Sequence, residues 1–329
     1  ESSILYVYLA LYRMSKENSY LDYAVKHAGI VNRLLDEDDK YDLLYGNAGA
    51  AQVLLYMFEL TKEDTYLCMA ERAVTLLAEA AQKQDVGIGW ITDRNMPPLG
   101  GMAHGNAGIL MPVMQLWSLT RKCWYEKLAE EIWQYENSLY DSGMNNWTDI
   151  RGTDTASVPG EAGTVAWCHG AAGILMSRVF CCSLLGEIRP SHRDMGDGNC
   201  MAEKWQKRLL KEIKTAYQTS VQYWARDSWS LCHGICGNLW ILEWMEQQEP
   251  ENCGIRNDDI MQEAEGILYG DEIRLLPQEL INPGMMNGYG GILYFLLHRD
   301  AMGNLGVNRK NKKMGDRKHS IHVQMLVLR

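Results

Sequence analysis

Residues 167–175, WCHGAAGIL, and residues 231–239, LCHGICGNL, share one pattern. Each stretch places Cys-His-Gly directly before an apolar run, with a second glycine three residues after the first. The Gly-x-x-Gly part of the pattern occurs three more times, at Gly46, Gly105 and Gly288, and neighbouring copies lie 54 to 65 residues apart. A period of this length indicates a chain built from repeated supersecondary units.

Each repeat is predicted to be a helical hairpin. In the unit that starts at Gly46, apolar residues recur from Ala51 at i, i+3, i+4 and i+7, which is one face of an α-helix. A polar turn and a second helical pattern follow, and clear strand alternation is absent. The sequence therefore predicts an all-α fold, an α/α toroid whose first helices surround an axis and whose glycine loops gather at one rim. An open helical solenoid is the alternative.

Composition excludes several classes of protein. Lys plus Arg total 32 against 42 acidic residues, and a net charge of -10 argues against nucleic-acid binding. The longest apolar run, nine residues from Ile4, is too short to span a bilayer. Nine irregularly spaced cysteines do not resemble a secreted disulfide framework and favour metal ligation or free thiols in a reducing compartment. We therefore expect a cytoplasmic location.

The residues directly before the glycine loops are the candidate site. If the loops share one rim, the following side chains converge there: Tyr45, His104, Cys168, His169, Cys232, His233 and Asn287. Two thiolates and one imidazole, from Cys168, Cys232 and His233, suit Zn(II). Three protein ligands leave one position open, as in catalytic zinc sites. The alternative is that the cysteines are small buried apolar residues and the histidines ordinary residues at helix entries.

Three motifs, GMAHGNAGI, AWCHGAAGI and SLCHGICGN, resemble those of the lanthionine synthetase C-like cyclases. The closest resemblance is to the C-terminal cyclase domain of class II, LanM-type, lanthionine synthetases, and it covers about residues 1 to 297. The resemblance implies an α/α toroid with one zinc ion per chain. It also implies addition of a peptide cysteine to a dehydrated serine or threonine, the step that forms thioether rings in lantibiotic biosynthesis.

The resemblance also implies roles for individual residues. Cys168, Cys232 and His233 match the zinc ligands, His104 matches the acid/base histidine, and Asp42 matches the acidic residue beside it. The chemistry agrees, because a thiol with a pKa near 8.5 needs activation at neutral pH and an enolate then needs a proton. His169 is an accessory candidate for the proton transfer.

One departure from the family pattern concerns an arginine. In stand-alone class I cyclases an arginine lies four residues before the first zinc cysteine, where this chain has Thr164. Arg178 is expected to lie too far from the rim to replace it. The resemblance therefore does not identify the group that would stabilise the enolate.

We expect residues 1–300 to form the cyclase domain, which begins inside its first repeat, and the basic residues 301–329 to form a disordered tail. Residues 186–200 are expected to be a surface insertion. The implied partners are a dehydrated precursor peptide with leader and core, an upstream dehydratase domain on the same chain, and membrane-associated export machinery. Two other functions stay open: a zinc-dependent thiol transferase of the prenyltransferase type, and a non-catalytic binding module.

Overall fold

Ten α-helices and two short β-hairpins make up most of what the computed structural model describes, which is residues 1–91, 96–151, 163–185, 201–224, 228–247 and 280–304. The helices are α1 (Ser2–Ser15), α2 (Asn18–Leu34), α3 (Asn47–Thr61), α4 (Asp64–Ala80), α5 (Asn106–Thr120), α6 (Cys123–Ser138), α7 (Ala171–Leu185), α8 (Met201–Gln222), α9 (Ile235–Gln247) and α10 (Tyr289–Asn304). A 3-10 turn, Leu35–Glu37, follows α2. Among the described residues, each helix is either too short or too polar to span a bilayer.

The helices alternate between an inner and an outer position. Inner helix α3 is buried without interruption from Asn47 to Met57, and α5 is buried from Asn106 to Ser118. Outer helix α4 instead buries a single stripe that includes Tyr66 and Ala73. A helix buried on all sides belongs to the core, whereas a helix with one apolar stripe covers it.

The first three hairpins turn in the same way. Each first helix ends at a residue in the left-handed conformation, whose N–H donates to the carbonyl four residues earlier. These residues are Lys16, Lys62 and Arg121. The hydroxyl one position before each of them also bonds back into its helix, as Thr61 does to the carbonyl of Met57. The helical repeats predicted from the sequence are confirmed.

The inner helices follow one another around the core. α1 packs on α3, α3 on α5, α5 on α7, α7 on α9, and α9 on α10, while α2, α4, α6 and α8 each cover the helix that precedes them. This order places the start of every inner helix at the same end of the molecule.

Backbone hydrogen bonds join the glycine loops at that end. The N–H groups of Met102 and Ala103 donate to the carbonyl of Cys168 at 3.0 and 3.1 Å. The N–H of Cys168 donates to the carbonyl of Cys232 at 3.3 Å, and the N–H of Cys232 to the carbonyl of Met286 at 2.9 Å. The predicted common rim is thereby observed for four successive loops.

Glycine is required at Gly170 of this rim. Its φ of +80° is unfavourable for residues with a side chain, and a Cβ would collide with the carbonyl oxygen of Thr164. The glycine therefore lets α7 begin at Ala171, two residues after His169.

The structure adds elements that the helical pattern did not indicate. β1 (Gln82–Lys83) pairs antiparallel with β2 (Ile88–Gly89), and β3 (Tyr140–Asp141) pairs antiparallel with β4 (Asn146–Trp147). Strands of two residues are too short to show alternation in a sequence. Helix α10 continues to Asn304, past the expected domain end at residue 300. The expected insertion at 186–200 and the tail from 305 onward lie outside the described residues.

Candidate metal centre and its surroundings

Three potential metal ligands meet at the rim. The sulfur atoms of Cys168 and Cys232 and a ring nitrogen of His233 all lie within 4.8 Å of one another, and no other such cluster occurs in the described part of the chain. Both cysteines are partly buried and His233 is exposed. The three residues selected from the sequence as ligands are thus brought together.

The loops hold these ligands from both sides. Besides the Cys168–Cys232 backbone bond, the side-chain amide of Asn238 donates to the carbonyl of Val165 at 2.9 Å, which ties α9 to the loop before α7. The hydroxyl of Ser230 accepts the N–H of His233. The ligand positions are therefore set largely by main chain.

The two thiols share a hydrogen bond that separates their proton affinities. It lowers the pKa of Cys168 and, together with burial, raises the pKa of Cys232. A metal ion that both cysteines bind as thiolates would displace the proton of this hydrogen bond.

The donor set fits a zinc ion. Zinc prefers sulfur and imidazole nitrogen, and a tetrahedral site with bonds of about 2.0 to 2.3 Å separates its ligand atoms by roughly 3.3 to 3.8 Å. The observed spread needs only a small side-chain movement to reach that geometry. Three protein ligands would leave one coordination position open.

His104 and Asp42 form a hydrogen-bonded pair at the same rim. His104 Nδ1 and Asp42 Oδ2 lie 2.8 Å apart, and Asp42 Oδ1 accepts the N–H of Tyr45 at 2.7 Å. Asp42 is 3% exposed, whereas the His104 side chain is 28% exposed. The ring of Tyr45 stacks on that of His104 with centroids 5.6 Å apart. Asp42 therefore fixes the imidazole through Nδ1 and leaves Nε2 on the opposite edge of the ring.

His169 links this pair to a second acidic group. Its ring centroid lies 6.3 Å from that of His104, and its Nδ1 lies 4.0 Å from Asp149 Oδ2. Asp149 is buried and binds the guanidinium of Arg151 through both carboxylate oxygens, at 2.9 and 2.6 Å. Burial alone would raise the pKa of Asp149, but the hydrogen bonds from Arg151 and the nearby His169 lower it to about 2.

Arg178 contacts carboxylates on the outer helices rather than the ligands. It is fully buried on α7, and its guanidinium binds Glu136 of α6 and Glu212 of α8. Although burial alone would lower the pKa of Arg178, the two carboxylates raise it, so the side chain stays charged. Glu136 also accepts the N–H of Gly101 at 3.1 Å. This agrees with the expectation that Arg178 does not replace the missing rim arginine.

The sequence analysis missed Asp149 and Arg151. They follow β4 in the stretch Trp147-Thr-Asp-Ile-Arg, and a similar stretch, Trp90-Ile-Thr-Asp-Arg, stands one repeat earlier. This second repeated motif could have indicated both residues, although it lies well before the glycine loops in the sequence.

Comparison with known proteins decides the family. The sequence profile described as "Lanthionine synthetase C-like protein" matches residues 1–305. The chain belongs to the lanthionine synthetase C-like family. A curated relative of this family member is the lacticin 481/lactococcin biosynthesis protein LcnDR2 of Lactococcus lactis subsp. lactis, 27% identical over 265 residues, or 79% of this chain. Those residues are 26% of the relative, so the chain spans about a quarter of that protein's length.

A solved structure shows the same architecture. Nisin cyclase matches this lanthionine synthetase C-like chain with a TM-score of 0.61 and 17% sequence identity, over 90% of this chain and 75% of that one. This likeness concerns the fold, and it confirms the α/α toroid against the open solenoid.

Proposed function

We propose that the protein is a zinc-dependent peptide cyclase that forms lanthionine and methyllanthionine thioethers in lantibiotic biosynthesis. The observation that carries the proposal is the meeting of a Cys-Cys-His ligand set with a His–Asp pair at one rim of a lanthionine synthetase C-like toroid. The thiol of a peptide cysteine adds to dehydroalanine or dehydrobutyrine of the same peptide.

Cys168, Cys232 and His233 would hold one zinc ion per chain. A zinc ion bound there would supply the charge that converts the incoming peptide thiol to a thiolate, and would keep its sulfur in place. The three ligands would leave one position open for the peptide sulfur, and the exposure of His233 makes the ligand set accessible from solvent.

His104 and Asp42 would manage the proton. When the peptide sulfur bonds to the β carbon, the π electrons of the Cα–Cβ double bond move to the carbonyl oxygen and an enolate forms. The thiol has lost one proton and the α carbon must gain one, so the reaction is balanced without an oxidant. His104 Nε2 is suited to deliver that proton, because Asp42 orients the ring through Nδ1.

The comparisons support the substrate class. One relative is named for lacticin 481 and lactococcin biosynthesis, and the structural neighbour is named nisin cyclase. We infer a dehydrated precursor peptide, with leader and core, as the partner. We also infer that residues 1–300 are the cyclase domain and that a dehydratase domain lies upstream on the same chain. Membrane-associated export machinery is inferred as a later partner.

The seven cysteines of the described residues are all free thiols, which fits a cytoplasmic location.

The test is cyclisation by purified protein. A synthetic peptide with one dehydroalanine and one cysteine is incubated with zinc-loaded protein, and the remaining free thiol is counted by alkylation and mass spectrometry. We expect ring closure by the wild type, and loss of both zinc and activity in Cys168→Ala. His104→Ala should keep its zinc and slow by about 10²- to 10⁴-fold. Cys68→Ala, which removes an exposed thiol on α4, is the matched control and should behave as wild type.

Two results would contradict the proposal. A wild-type protein that binds zinc and peptide without closing the ring would instead be a binding module. Full zinc retention in Cys168→Ala would remove the metal assignment.

A further inference from the structure

The segment after β4 places an anchored arginine beside the candidate metal centre. Arg151 donates through Nε and Nη2 to Asp149, whose side chain is almost fully buried. The backbone N–H of Arg151 also donates to Asp149 Oδ1 at 3.2 Å. A buried carboxylate that binds one guanidinium edge by two hydrogen bonds fixes the plane of that guanidinium.

This pair lies next to the residues of the rim. Asp149 faces His169, which directly follows the ligand Cys168, and the ring of His169 adjoins that of His104. Through Asp149 and His169, Arg151 is thus linked to the segment that carries the ligand Cys168. Arg151 therefore places a positive charge beside that segment.

The other edge of the guanidinium faces outward. The Arg151 side chain is 39% exposed, and within the described residues its Nη1 makes no hydrogen bond. An arginine has five N–H donors, so binding Asp149 along one edge leaves donors for a further acceptor. These donors are therefore accessible to an acceptor that approaches from solvent.

The proposed reaction needs such a donor. Two thiolates and one imidazole neutralise a divalent ion, so the incoming peptide thiolate makes the site negative. During the attack this charge moves from sulfur to the carbonyl oxygen of the dehydrated residue. A fixed donor at the place where charge develops stabilises the transition state more than the ground state.

We propose that Arg151, anchored by Asp149, binds the carbonyl oxygen of the dehydrated residue and stabilises the enolate that forms there. This inference rests on the proposed cyclase function. It makes Arg151 a catalytic residue and Asp149 the residue that positions it. The step itself is balanced as above, since Arg151 only donates hydrogen bonds and exchanges no proton.

The first measurement is turnover by Arg151→Gln and Arg151→Lys. Losing one donor to a developing oxyanion costs about 10²- to 10³-fold in kcat, and we expect this loss in Arg151→Gln. Arg151→Lys keeps the charge but not the two-point hold on Asp149, so we expect a loss of about tenfold. Zinc content should be unchanged in both. Arg208→Gln, which breaks an arginine–carboxylate pair with Glu130 between α6 and α8, is the matched control with unchanged kcat.

The second measurement is binding without turnover, made on zinc-free protein. One probe is the dehydrated peptide with serine in place of cysteine, and the other carries a phosphinate in place of the dehydrated residue's carbonyl. We expect Arg151→Gln to weaken phosphinate binding by at least tenfold and neutral-peptide binding by less than threefold. Only the phosphinate probe should lose affinity in Arg151→Gln, because the neutral carbonyl of the other probe gains little binding energy from the arginine charge.

The outcomes separate the two proposals. A wild type that does not cyclise overturns the cyclase function and this role with it. A wild type that cyclises while Arg151→Gln matches it, or binds the phosphinate equally well, overturns only the role of Arg151. Equal weakening of both probes, or zinc loss, would assign Arg151 to loop structure instead.

Discussion

Replacing the buried guanidinium of Arg178 should destabilise the toroid strongly. In Arg178→Met the side-chain volume is roughly kept, but Glu136 and Glu212 lose their common cation. Glu136 and Arg178 are both 0% exposed. Removing one partner of a buried ion pair costs about 3 to 5 kcal/mol, because the remaining charge is left unpaired in a poorly polarisable interior. Because Arg178 is the cation for two carboxylates, we expect its loss to lower the free energy of unfolding by about 4 kcal/mol or more.

This loss converts to a measurable shift in Tm. Unfolding entropy of about 2.1 cal/mol/K per residue gives roughly 0.7 kcal/mol/K for the chain, so about 4 kcal/mol lowers Tm by about 6 °C. Differential scanning calorimetry of wild type and variant measures it. Arg208→Met is the control on the outer surface, where the ion pair itself is worth at most about 1 kcal/mol and stacking on Trp133 and Trp205 about as much again. Its Tm should fall by no more than about 3 °C.

The pH dependence has a defined sign. Burial raises the pKa of Glu136, and Arg178 opposes that effect. Without Arg178 the carboxyl pKa in the folded state rises further, so the folded variant binds more protons than the unfolded chain. The stability deficit of Arg178→Met should therefore grow from pH 5 to pH 8. Adding Glu136→Gln and Glu212→Gln should recover at least half of the lost Tm. A Tm of Arg178→Met within 2 °C of the wild-type Tm would refute this reasoning. A triple variant whose Tm is no higher than that of Arg178→Met would refute it as well.

Three further changes test other parts of the site. Asp42→Asn removes the charge that orients His104, so kcat should fall about 10²-fold with KM and zinc content unchanged; unchanged kcat would separate Asp42 from the proton transfer. Gly101 has φ of +86°, and its Cβ would lie 2.8 Å from the Cys168 carbonyl and 2.9 Å from His169 Nδ1. Gly101→Ala should therefore weaken zinc binding in a competition titration, whereas Gly29→Ala on α2, whose Cβ would meet only the side-chain Nη1 of Arg33 at 3.9 Å, should not. A chelator should lower the Tm of wild type and not that of Cys168→Ala, since an ion that binds only the folded state stabilises it; equal shifts would place zinc elsewhere.

The sequence predicted the toroid and its rim because both follow from a local repeat. A glycine that must start an inner helix, as Gly170 does, marks the same structural position in every unit. Residues adjoining such glycines are therefore neighbours in space, and this is why Cys168, Cys232 and His233 were found across 64 residues of sequence. Asp42 and His104 followed from the resemblance, and the structure brings them within hydrogen-bond distance.

Contacts between different layers could not be predicted in this way. Arg178 stands in the otherwise apolar stretch AAGILMSRVFCCSLL, which signals a buried charge that needs partners. Its partners Glu136 and Glu212 lie on two outer helices, and no spacing in the sequence relates them to Arg178. Arg151 reaches the rim through the β3–β4 hairpin, whose strands are too short to leave a pattern.

X-ray absorption at the zinc edge tests the central claim most directly. We predict that zinc-loaded protein shows two sulfur ligands at about 2.3 Å and nitrogen from His233 at about 2.0 to 2.1 Å. Addition of a dehydrated peptide with one cysteine should raise the sulfur count to three, and the same peptide with serine should not. A zinc site with only nitrogen and oxygen ligands, or a sulfur count that the cysteine peptide leaves at two, would contradict thiol activation at Cys168, Cys232 and His233.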